Sequence, residues 1–190
     1  MPREHAAAKN CIKIGEKAMS KKQKKNPNKI PATPEMAARE ADRAYYCAIA
    51  NVIDSIAETG KYTFEEIEAL WDKINDTADK IASGTLKPEK VLRKISEVGI
   101  DIGHISRIQN SPRTMADVKR NAKAAYKLAC AIMLYTLISA EAFSREELSE
   151  LWARAVYKKD SIDRKYTTLR DVCDALLDDY GISVATGVKL

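Results

Sequence analysis

The side chains able to do chemistry are few in this chain and stand far apart. The two histidines, His5 and His104, have no serine, cysteine or aspartate at the spacing of a catalytic triad or dyad. Cys11, Cys47, Cys130 and Cys173 form no C-x-x-C pair. Cys47 and Cys130 fall in apolar stretches, where cysteine behaves as a small hydrophobe. The carboxylate pairs Glu65-Glu66 and Glu146-Glu147 fall in the first turns of predicted helices, where negative charge suits the dipole. Asp178-Asp179 lies near a helix C-terminus and reads as solvated surface rather than a metal site. No H-E-x-x-H, phosphate-binding P-loop or G-x-G-x-x-G occurs. The sequence therefore reads as non-enzymatic, with no cofactor and no metal expected.

The cations are arranged more pointedly. Residues 1–30 carry nine lysines and arginines against two glutamates, a surplus larger than the whole chain's net charge of +5, so the remainder is slightly negative and close to neutral. Lys9, Lys13, Lys17 and Lys21 recur every four residues and make a ridge on a basic amphipathic helix over 3–25, with Ala8, Cys11, Ile12 and Met19 on its other side. Lys22, Lys24 and Lys25 extend the run. Such a ridge contacts the phosphates of DNA or RNA, lies on an acidic protein or membrane surface, or simply solvates a chain end. No aromatic residue is interleaved in it to stack bases.

The elements behind these residues read as helices. The composition is 45% hydrophobic and 31% charged, rich in alanine, lysine, glutamate and leucine, which favours helix over strand. After the linker Asn26–Pro34, an apolar stripe of Ala41, Ala44, Tyr45, Ala48, Val52 and Ile56 predicts a helix over 35–59, ended by Gly60. A capping box, Thr63-x-x-Glu66, opens a second helix to about Ser83, and a third starts at Pro88 and stops at Gly99. The same order then returns. Ser111-Pro112 starts a long helix to about Ala142, Ser144-x-x-Glu147 opens another to about Lys165, and a short one runs from Thr168 to Tyr180 before Gly181.

The return keeps a fixed offset of 81 residues. It pairs Arg39 with Arg120, Ala44-Tyr45 with Ala125-Tyr126, Tyr62-Thr63 with Phe143-Ser144, Glu65-Glu66 with Glu146-Glu147, and Leu70-Trp71 with Leu151-Trp152. One inserted residue later, Gly99-Ile100 meets Gly181-Ile182. The expected fold is all-α: a tandem duplication of a helical hairpin plus a short helix, forming a pseudo-two-fold bundle. The divisions are an arm and linker (1–34), a first repeat (35–102), a connector (103–111), a second repeat (112–184) and a tail (185–190). Trp71 and Trp152 are expected at equivalent anchoring positions in its core. The apolar run Leu128–Ala140 is shorter than a bilayer requires and reads as a core helix, so no membrane span is expected.

The connector carries its own pattern. Leu92–Asn110 (LRKISEVGIDIGHISRIQN) places Gly99 at a turn, Ile100 after it, and Ile105 and Ile108 three apart. It resembles the helix-turn-helix of phage-repressor-like proteins, with Ile95 where that motif has a small residue. The resemblance implies that Asp101, His104, Ser106 and Arg107 face a DNA groove. The other reading of the same run is an ordinary glycine helix stop followed by a loop.

The cadence of each unit is an alanine/aromatic helix, an F/Y-[TS]-x-E-E-[IL]-x-x-L-W opening and a short helix ending in G-I. Over 40–102 and 121–184 it resembles small helical proteins of phages and mobile elements of Gram-positive bacteria. The resemblance implies action by binding, with host nucleic-acid machinery as partner and anti-CRISPR inhibitors of nucleases as one such group. The expectation is a cytoplasmic, non-enzymatic binding protein whose partner is a host protein or ribonucleoprotein complex. DNA or RNA contact through the arm and further pairing into a homodimer stand beside it, and a helix-turn-helix regulator is the alternative.

Overall fold

The first helix starts where the sequence supplies a cap. Thr33 accepts a hydrogen bond from the Met36 amide (3.2 Å) and Pro34 occupies the first turn, where its missing N–H costs nothing. The computed structural model describes residues 31–141 and 143–184; the lysines Lys9, Lys13, Lys17, Lys21, Lys22, Lys24 and Lys25 and the tail lie outside them. The described residues form six helices: α1 (Pro34–Ala57), α2 (Phe64–Ala82), α3 (Pro88–Glu97), α4 (Met115–Ser139), α5 (Arg145–Asp163) and α6 (Leu169–Tyr180). They contain no strand, only an isolated antiparallel bridge between Pro31 and Thr114. The fold is all-α.

Both predicted capping boxes close. Thr63 accepts from the Glu66 amide (3.3 Å) while Glu66 accepts from the Thr63 amide (2.8 Å), and Ser144 and Glu147 do the same at 3.2 and 2.8 Å. Each box satisfies two amides that the first turn leaves without partners. The start of α4 differs from the expectation. Ser111-Pro112 precedes it as irregular chain, and Thr114 is the cap, boxed with Asp117, whose carboxylate takes the Thr114 amide (3.1 Å) and hydroxyl (2.9 Å). The Thr114 hydroxyl, then the Arg113 and Thr114 amides and Arg120, hold the Asp117 carboxyl below its ordinary value. Thr168 and Asp171 form a fourth box at α6. Gly181 ends α6 in the left-handed region (φ 68°), where a side chain would be strained.

The main packing runs between the N-terminal and C-terminal sets of helices. α1 lies along α4; α5 and α6 also pack on α1, and α2 and α3 pack on α4. Ile49, Val52, Ile56, Ile74, Val91 and Ile95 from the first set meet Met133, Leu134, Leu137, Leu148, Leu151 and Leu176 from the second in one buried cluster. Polar pairs lock the same seam. Thr136 donates to Thr77 (2.9 Å), and Lys158 donates to Asp54 (2.5 Å) and Glu58 (2.7 Å). Burial alone would lower the Lys158 ammonium, but these two carboxylates outweigh it and hold it above its ordinary value. By length and apolarity α4 is able to cross a membrane, yet more than half of its apolar window is buried inside this bundle.

Candidate functional site

The sequence of α4 dictates one basic edge. Lys119, Lys123 and Lys127 are four residues apart, so they follow one another along one face in steps of about 6 Å. Val118, Asn121, Ala125 and Ala129 turn the other way and are buried. On α5 the stripe Trp152, Val156, Lys159 and Asp163 repeats at spacings of four and three, and it faces the lysine edge across a groove of about 550 Å³. Ala44 of α1, Ala122 and Tyr126 of α4, and Ile102 in the irregular chain between α3 and α4 complete the lining.

The floor of the groove is held from behind. The buried Asn51 amide donates to the Tyr126 hydroxyl (3.5 Å), fixing the ring. The Lys159 ammonium lies 5.2 Å from the centroid of that ring and pairs with Asp163, so it is set in place on the opposite rim. Burial pushes the Tyr126 phenol above its ordinary value, so it stays neutral. Beneath it, burial drives the Cys47 thiol up to about 11 and the Cys130 thiol to about 12. Both are inert thiols at neutral pH rather than nucleophiles. In contrast, Lys119, Lys123 and Lys127 of the α4 edge make no ion pair with a carboxylate among the described residues. Lys127 donates only to the main-chain carbonyl of His104 (3.1 Å).

That contact locates the connector, and of its two readings the structure has the glycine helix stop followed by a loop, not a helix-turn-helix. No second helix follows Gly99; residues 100–109 run without secondary structure until α4. Ile100 and Ile102, two apart, both turn into the core, which is an extended-chain pattern and not a helical one. Side chains consume the main-chain groups that a helix would need. Asp101 accepts from the Gly103 amide (2.6 Å), and Asn121 both accepts from the Gln109 amide (3.0 Å) and donates to its carbonyl (2.8 Å). Asp101, His104, Ser106 and Arg107 therefore sit on no recognition helix. Asp101, His104 and Arg107 are exposed and Ser106 is half-buried, on a strap that runs beside α4, with His104 at Lys127 and Gln109 at Asn121.

The tryptophans are half-buried, packed against the core and each open to a groove. Trp71 lines a second groove of about 470 Å³ with Phe64, Ile182 and Val184, edged by Glu68 and Asp72. The two grooves thus carry opposite charge. Among the described residues, no three His, Cys, Asp or Glu side chains gather as a metal-binding group. The basic groove escaped the sequence reading because its parts come from four separate segments; its only local signal was the four-residue spacing of Lys119, Lys123 and Lys127. Comparison of the chain with protein families, with curated proteins and with solved structures finds no match.

Proposed function

We propose that the protein is a non-enzymatic binding protein that engages nucleic acid, free or within a host nucleoprotein machine. The observation that carries this reading is the row of Lys119, Lys123 and Lys127 beside an aromatic-lined groove, with no carboxylate paired to any of the three among the described residues. Unpaired ammonium groups in a row repel one another, and a polyanion relieves that repulsion while releasing its own counterions. The N-terminal lysines add to the same attraction. The narrower form, a phage or mobile-element inhibitor of a CRISPR nuclease, is supported by the resemblance of the sequence cadence. Action in the cytoplasm is supported by the free thiols of Cys47, Cys130 and Cys173.

We also propose that the bundle is two copies of one unit related by a pseudo-two-fold axis. The packing of α1 on α5 has its exchange partner in α2 on α4, and that of α1 on α6 in α3 on α4. Tyr62 stacks on Phe143, its own counterpart at the offset of 81. Arg145 donates to the Val98 carbonyl next to Gly99 (2.9 Å), while its counterpart Phe64 shares a groove with Gly181. This arrangement makes the lysines informative. The positions matching Lys119, Lys123, Lys127 and Lys159 are Ala38, Asp42, Tyr46 and Ala78, so packing of the unit does not require a cation there.

The functional reading is tested by fluorescence anisotropy of labelled oligonucleotides at rising salt. Binding that weakens with salt, and weakens further in a Lys119→Gln, Lys123→Gln, Lys127→Gln variant, supports it. Absence of binding to any oligonucleotide at low salt removes it.

A further inference from the structure

The shape of the basic groove selects among nucleic acids. A duplex presents sugar and phosphate outward and keeps its bases stacked inside, so it has little to place against an apolar concave surface. The lining here is Ala44, Ile102, Ala122, Val156, Trp152 and Tyr126, and the cations are concentrated along one rim. A single strand has the complementary layout, with phosphates in a row on one side and bases free to turn toward the other. Every base carries a π-face, so an indole accepts any of them.

We infer that this groove binds single-stranded nucleic acid, with phosphates along Lys119, Lys123 and Lys127 and a base against Trp152. The inference rests on the nucleic-acid reading above and narrows it. Of the two aromatic residues, Trp152 is the platform, because the Tyr126 ring is already covered by the Lys159 ammonium at 5.2 Å. Lys159 itself is paired with Asp163, which leaves the α4 edge as the main run of positive charge that no carboxylate among the described residues neutralises. The volume of about 550 Å³ lies in the range of ordinary ligand sites, roughly 300–1,000 Å³, and suits a base rather than a folded domain. An acidic amphipathic helix would need cations along both rims to be matched equally well.

The chain has two tryptophans, so Trp71→Phe leaves Trp152 as the sole indole. In that variant, a short mixed-sequence DNA strand, the corresponding hairpin duplex and a poly-glutamate peptide are titrated while indole fluorescence and anisotropy of the labelled probe are followed. The expected result is that the single strand quenches Trp152 and binds at least about tenfold more tightly than the duplex or the peptide. Trp152→Phe should weaken single-strand binding. Because Trp152 also packs against the core, Val156→Asp, at an exposed position of the lining, repeats the test without altering the indole, and should abolish the preference for single strands. Equal or tighter binding of the duplex, or oligonucleotide binding with unchanged Trp152 fluorescence, overturns the inference while leaving the nucleic-acid reading in place, whereas capture of the peptide in place of both oligonucleotides removes both. Failure of all three probes to bind removes both.

Discussion

The rings of Tyr62 and Phe143 pack against each other with centroids 5.1 Å apart and planes tilted by 34°, and each stands immediately before the N-cap of a helix, Thr63 of α2 and Ser144 of α5. Two helix entries are thereby pinned to each other across the bundle. Phe143 is buried, so Phe143→Ala removes a core ring as well as the stack and should cost about 3 kcal/mol, read as a lower urea midpoint. Phe143→Leu should cost clearly less. A loss well under 1 kcal/mol for Phe143→Ala would show that the stack does not fix the entries.

The seam between the two sets of helices predicts how the chain behaves when cut. The closest helix packings all join residues 34–97 to residues 115–180, so the connector is not what holds the pieces together. A protease site inserted between Asn110 and Ser111, in exposed irregular chain, should yield a nicked protein that elutes as one species and keeps its helical circular dichroism. Separation of the fragments without denaturant would contradict the interlocked packing.

Lys158 supplies a stability with a defined pH window. It satisfies the buried Asp54 and the exposed Glu58 together, so Lys158→Met strands a carboxylate and should cost about 2 kcal/mol. Adding Asp54→Asn should restore part of that loss. The ammonium is held above its ordinary value in the folded protein. Its contribution is therefore complete below about pH 10.5 and disappears as pH rises through the raised value. Urea midpoints of the parent and Lys158→Met should differ constantly at neutral pH and converge in strong alkali.

The caps test where α4 starts. Thr114→Ala should lower the melting midpoint by roughly 2–4 °C, whereas Ser111→Ala should leave it unchanged. The Asp117 carboxyl in this box is depressed, so its share of stability is present above about pH 3.8 and is lost as pH falls through the lowered value. The difference between parent and Thr114→Ala should accordingly narrow in acid.

How much of this was legible in the sequence follows the range of the interactions involved. Thr63-x-x-Glu66 and Ser144-x-x-Glu147 were readable because both halves of each box lie within one turn. Thr114-x-x-Asp117 is harder to read because Ser111-Pro112 offers a competing start and the partner is aspartate, shorter than the usual glutamate or glutamine. In the connector, Gly99 with Ile105 and Ile108 fits both a repressor turn and a glycine stop followed by a loop, and what decides between them, the burial of Ile100 and Ile102 on a period of two, appears only in the structure. The groove was the least legible feature. Lys119, Lys123 and Lys127 were visible as a spaced row, but their juxtaposition with Trp152, Ile102 and Ala44 depends on α4, α5, the connector and α1 meeting in space.

The central claim is that the folded body, and not only the lysine-rich arm, binds a polyanion through α4. Its most direct test is the slope of log binding constant against log salt concentration for a single-stranded oligonucleotide and the protein lacking residues 1–30. Three phosphates neutralised by Lys119, Lys123 and Lys127 predict a slope of about −2, which should approach zero when all three become glutamine. A slope already near zero before the lysines are replaced, or one that survives their replacement unchanged, would contradict the account.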